Sequence, residues 1–204
     1  MRKLHLCFFG LLLSMFLVPN IVAQVRSVTL GIRTHCPYGI KGCWPEIRDG
    51  LGRAEAIVGI NENPNARTDT CEVQMRSDWS PDPDMFAQNF TNMHIGVDVR
   101  GVEAVVEGSL QMQGTNLVLR VGTSEAFMQL APLTRKVQWD TSRKRSTLPT
   151  RAEQGAFDKL RAQRKTNPDK IRITGPLLKQ KAAESEQTIK LILEVRKFEF
   201  IKGT

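Results

Sequence analysis

The chain has 204 residues and a formal net charge of +8, enough length for one large domain or two small ones. Apart from one apolar run near the N-terminus, no stretch is long and apolar enough to span a bilayer as a helix. The positive charge is concentrated rather than general: between Arg135 and Lys165 there are ten basic residues against three acids. Arg2 and Lys3 precede the apolar run from Leu6 to Val18, followed by Pro19, Asn20 and a cleavage point after Ala23 or Gln24. A charged start, a short apolar centre and a small-residue exit form the pattern of a cleavable secretory signal over residues 1–24, and the run is shorter than a membrane-spanning helix. The expected location is therefore secreted or periplasmic, with no membrane span after cleavage.

Three cysteines remain in the exported chain, Cys36, Cys43 and Cys71. In an oxidising compartment an odd count means a disulfide with a spare thiol, a metal site, or a link between chains. Val25 to Ile32 reads as a strand, feeding a loop with His35, Cys36, Pro37, Gly39 and Gly42. Helical spacing then runs from Cys43 through Ile47 to Leu51, with Pro45 and Glu46 in the first turn, where a missing N–H costs little and a carboxylate suits the helix dipole. Ala54 to Ile60 is the next strand. In Thr70 to Met75, Cys71, Val73 and Met75 share one face, making Cys71 a small core residue. Ser80 or Asp82 caps a second helix whose Phe86, Phe90 and Met93 form a buried stripe. Val97 to Val99 reads as a short fourth strand.

The order β-α-β-β-α-β is that of a ferredoxin-like, split βαβ unit. With Gly31-Ile32 ending the first strand, the Cys43-x3-Ile47-x3-Leu51 helix and the Val58-x-Ile60 and Cys71-x-Val73 strands, residues 25–99 resemble a heavy-metal-associated domain. That resemblance implies a soft metal ion, Cu(I) or Zn(II), held in the strand-to-helix loop. The family uses C-x2-C; aligned on the helix, Cys43 takes the second position, Ile40 stands at the first, and Cys36 is reached only across C-x6-C. The metal set is then Cys36 and Cys43 with His35 as a third donor. The alternative is a Cys36–Cys43 disulfide closing a small loop, with no metal.

In residues 100–204, Val102 to Leu110 alternates as a long strand, and Gln113-Gly114 turns it into Asn116 to Val121. Phe127 to Trp139 supplies a third strand broken at Pro132, followed by the basic loop TSRKRSTLP. Thr150-x-x-Glu153 is a capping box opening a helix with Ala156, Phe157 and Leu160 on one face. Ile171 to Thr174 is a fourth strand, and Ile189 to Phe198 a long fifth. This half resembles an OB-like β-barrel with one helix, in element order alone, so the expected class for the whole chain is α+β.

No nucleophile elbow, phosphate loop, H-E-x-x-H helix or paired-carboxylate arrangement appears, and C-x6-C is not a C-x-x-C redox motif. The expectation is a non-enzymatic binding protein. Its partner is a metal ion, a protein docked on a metal-free module, or a polyanion held by Arg143, Lys144 and Arg145 with Trp139 beside them. The scarcity of exposed aromatics speaks against nucleic acid.

Overall fold

The computed structural model describes residues 24–79, 82–91, 93–121, 127–164, 170–180 and 190–201. The expected leader lies outside them except for Gln24, as does the expected cap at Ser80. No helix among the described residues is long and apolar enough to cross a membrane.

The fold is α+β and mostly sheet. In chain order the elements are β1 (Gln24–Thr34), α1 (Gly39–Gly42), α2 (Trp44–Gly52), β2 (Ile57–Ile60), β3 (Thr70–Met75), α3 (Asp84–Asn89) and β4 (Val97–Gln113). Then follow β5 (Asn116–Arg120), β6 (Phe127–Pro132), β7 (Trp139–Asp140), β8 (Arg145–Ser146), α4 (Arg151–Gln154), α5 (Ala156–Gln163), β9 (Lys170–Gln180), β10 (Lys190–Val195) and β11 (Lys197–Phe200).

The first four strands lie in the order β4-β1-β3-β2, all antiparallel. The apolar faces of α2 and α3 pack on this sheet through Ile47, Leu51 and Phe86, each with no measurable exposure. A second set of pairings closes a ring: β4 with β5, β5 with β6, β6 parallel to β10, β10 with β9, and β9 back to β4. Leu160 of α5 is fully buried in the same continuous core.

Strand β4 belongs to both sets. It was expected as two elements, residues 97–99 and a separate strand from 102, with a boundary between residues 99 and 100; it is one unbroken strand of 17 residues. Residues 103–107 pair with β1 on one edge and β9 on the other. The expected long fifth strand is also modified. Leu193 faces Leu177 and Lys197 faces Thr174, so β10 and β11 form one ladder along β9 with an extra residue on their side, a β-bulge at Arg196. Gly175 sits opposite, where a Cβ would lie 1.6 Å from the Glu194 carbonyl oxygen.

Three carboxylates are almost fully buried around this seam, and each is paired, as buried charge requires. Glu107 accepts from Arg26 (3.0 Å) and Arg172 (2.6 Å). Glu103 accepts from Arg196 (2.6 Å), and Glu194 from the hydroxyl (2.6 Å) and backbone N–H (3.0 Å) of Thr134.

A basic junction as the candidate functional site

The cysteine loop is a covalently closed turn. Cys36 and Cys43 are joined by a disulfide across Cα atoms 6.6 Å apart. Gly39 takes a left-handed φ of +66° between them, a conformation glycine adopts without steric cost. The Cys36 backbone N–H donates to Thr34 Oγ1 (3.0 Å), and Cys43 caps the start of α2. His35, beside the disulfide, is exposed and pairs its Nε2 with Asp98 Oδ2 at 2.9 Å. Both sulfurs are bonded to each other, so in this state they present no thiolate. Among the described residues no group of three or more His, Cys, Asp and Glu is gathered as a ligand set. Cys71 is buried in the core, and burial pushes its thiol pKa up to about 12.

The densest charged feature lies where the segment after β6 crosses the sheet. Val137 is buried against two glycines, Gly31 of β1 and Gly101 of β4. A Cβ at Gly31 would come within 2.7 Å of Val137 Cγ1 and 2.8 Å of its carbonyl oxygen. The glycine singled out at the end of the first strand thus seats the basic segment directly on the sheet. Next along the chain, the Trp139 N–H donates to the carbonyl of Thr68 (3.0 Å), tying the β7–β8 hairpin to the loop before β3.

Arg100 is the pivot. Gly31 faces Gly101 while Ile32 faces Val99, so Arg100 is the extra residue of a bulge, a geometry that re-aims a side chain. Its guanidinium lies 4.5 Å over the Trp139 ring, a cation–π contact, and reaches Asp69 at 3.4 Å. Burial lowers its pKa and nearby Arg33 adds to this, while Asp69 opposes both. Trp139, expected beside the loop cations, carries this arginine over its ring.

The hairpin tip is shaped by Asp140, whose Oδ1 accepts from Ser142 Oγ (2.7 Å), Ser142 N (3.1 Å) and Arg143 N (3.0 Å). These bonds, first that from the Ser142 hydroxyl, hold the carboxyl below its usual range. Arg143, Lys144 and Arg145 are all exposed on this turn, and Arg143 Nε lies 3.6 Å from Asp140. Lys136 is bonded at 3.0 Å to Glu153, which also accepts from Arg196.

Segments bearing further cations meet this hairpin: Arg33 of β1 lies close enough to Arg100 of β4 to lower its pKa, Arg100 and Arg135 line one cleft with Ser146, and Arg67 precedes Thr68, whose carbonyl accepts from Trp139 N. Arg33, Arg67, Arg135, Lys144 and Arg145 are exposed, and among the described residues no carboxylate lies within 4.0 Å of their charged groups. A composition window finds the run 135–145 and cannot find Arg33, Arg67 or Arg100, whose convergence depends on tertiary contacts. Comparisons with protein families, with curated proteins and with solved structures find no match for this chain.

Proposed function

We propose that this chain is an exported, non-enzymatic binding module whose ligand is a polyanion, held on the basic junction around the β7–β8 hairpin. One observation carries the reading: five cations from four separate segments face solvent, and among the described residues none has a carboxylate partner. Charge runs are ordinarily solvated and interspersed with acids, whereas unpaired convergent cations raise the local concentration of an anionic ligand.

The same reading takes residues 25–99, whose last strand runs on through β4, as a ferredoxin-like unit, supported by the strand order β4-β1-β3-β2. It takes the ring of β4, β5, β6, β10 and β9 as an OB-like barrel, supported by the parallel β6–β10 pair and the helix between β6 and β9. The disulfide is the staple of the first unit. The test is binding of dextran sulfate across a salt series. Affinity should fall linearly on a log–log scale with a slope reflecting several displaced counterions. The triple variant Arg143→Gln, Lys144→Gln, Arg145→Gln should flatten that slope. A salt-independent affinity, or a triple variant that binds unchanged, refutes the proposal.

The soft-metal reading applies only to the reduced protein, in which Cys36 and Cys43 regain thiolates beside His35. A thiol count with metal analysis on protein purified without chelators decides it. Three reactive thiols after chelation with about one equivalent of copper or zinc before it would support this reading. One free thiol and no metal would end it.

A further inference from the structure

Between the sheet and the basic segment lies a partly enclosed cleft of about 30 Å³, lined by Arg100, Arg135, Lys136 and Ser146 over Val137 and Pro176. We propose that this cleft receives a single pendant oxyanion group, a sulfate or phosphate monoester, of the polyanion. The inference rests on the polyanion reading and assigns the chemical class of its ligand.

Three observations converge on it. The polar lining consists of three cationic side chains and one hydroxyl, all hydrogen-bond donors to an oxyanion. The cleft is also small. Its volume is about that of two waters on the usual scale. That space admits the oxygens of one charged group and not a sugar ring or a base. Finally, one buried donor without a partner belongs to the lining: Arg100 Nε. A buried donor left unpaired on a cleft-lining guanidinium suits a bound acceptor such as an oxyanion. Arg100 and Lys136 are partly neutralised by Asp69 and Glu153, so among the described residues Arg135 is the lining cation without a carboxylate partner.

A pendant monoester also sets the preference among polymers. Sulfated or phosphorylated polysaccharides present such groups, polyglutamate presents planar carboxylates, and single-stranded DNA presents diesters. The experiment measures binding of dextran sulfate, dextran phosphate, polyglutamate and oligo(dT) at matched ionic strength, to wild type, Arg135→Gln, Ser146→Ala and Arg145→Gln. Arg135 is exposed and, among the described residues, has no carboxylate partner, so Arg135→Gln should melt like wild type. The expected result is at least tenfold preference for the two dextran esters, lost in Arg135→Gln and reduced in Ser146→Ala. Arg145→Gln should weaken every polymer by a similar factor. Dextran sulfate and dextran phosphate compared side by side tell sulfate from phosphate. Equal binding of all four polymers, or equal loss for all four in Arg135→Gln, overturns the cleft assignment and leaves the polyanion reading standing. Preferred binding of oligo(dT) overturns the monoester assignment in favour of a diester. No binding of any polymer overturns the underlying reading.

Discussion

Glu153→Gln preserves the size of a side chain that joins α4 to the seam and removes its charge. The carboxylate accepts from Thr150 N (2.7 Å), Arg196 Nε (2.7 Å) and Lys136 Nζ (3.0 Å). Burial works to raise its pKa, but the bonds from Thr150, Arg196 and Lys136 outweigh that and hold it at about 2, against an ordinary 4.5. At about 1.36 kcal/mol per unit, the depression is worth about 3 kcal/mol. The side chain retains 15% exposure, so solvent screening reduces the working figure to about 2 kcal/mol. A carboxylate with a depressed folded pKa stabilises fully above its unfolded value and loses that contribution as pH falls through its folded value. The window is therefore pH 4.5 down to about 2. Urea unfolding of both proteins at pH 7 should show the variant less stable by about 2 kcal/mol, and the gap should close as the pH approaches 2. The gap is the informative quantity, because the remaining carboxylates titrate in both proteins. A gap that stays constant from pH 7 to pH 2, or one below about 0.5 kcal/mol at pH 7, refutes the ion-pair account.

Replacing Cys36 and Cys43 together by Ser should cost about 2–3 kcal/mol, the chain-entropy value for so short a loop, read as a shift in the urea midpoint; an unchanged midpoint would show that the staple adds nothing. Gly175→Ala should cost about 3 kcal/mol or more, because its Cβ would occupy the Glu194 carbonyl and force the bulge at Arg196 to open. Thermal melting checks it, and a loss under 1 kcal/mol would mean the bulge relaxes freely. Iodoacetamide at pH 8 should leave the peptide bearing Cys71 unmodified in the native protein and label it fully in urea, since its thiol titrates near 12. Rapid native labelling would contradict its burial.

Local patterns were the legible part of this fold. The alternation of Cys71, Val73 and Met75 marks β3 over the residues observed, and the Thr150–Glu153 capping box is formed by both of its reciprocal bonds. Helix α2 starts one residue after Cys43, where the proline and glutamate of its first turn put it. What escaped was register. Arg26, Arg100 and Arg196 are each the extra residue of a bulge, and each carries its guanidinium to a carboxylate: Glu107, Asp69, and the Glu103–Glu153 pair. Val58 is the extra residue of a fourth bulge, which leaves an apolar side chain 63% exposed on the edge strand β2. One inserted residue breaks the period-two pattern, so Asp98, Arg100 and Gly101 read as a gap where β4 is continuous. The buried Glu103 and Glu107 look like solvent-face charges until their arginine partners, distant in sequence, are in place. The candidate site was half legible for the same reason. Arg143, Lys144 and Arg145 stand together in the chain, whereas the seating of Val137 on Gly31 and Gly101 is a contact between segments.

The shared strand β4 also bears on how the molecule can be divided and how it can move. A flexible linker lets neighbouring units tumble separately; a single strand hydrogen-bonded on both edges over residues 103–107 transmits twist and tension directly. Cutting the chain at residue 100 would leave an unpaired edge on each fragment, an invitation to self-association. Unfolding of either set of strands strips one edge of the other, so the two should melt as one cooperative unit, with a single transition by every probe.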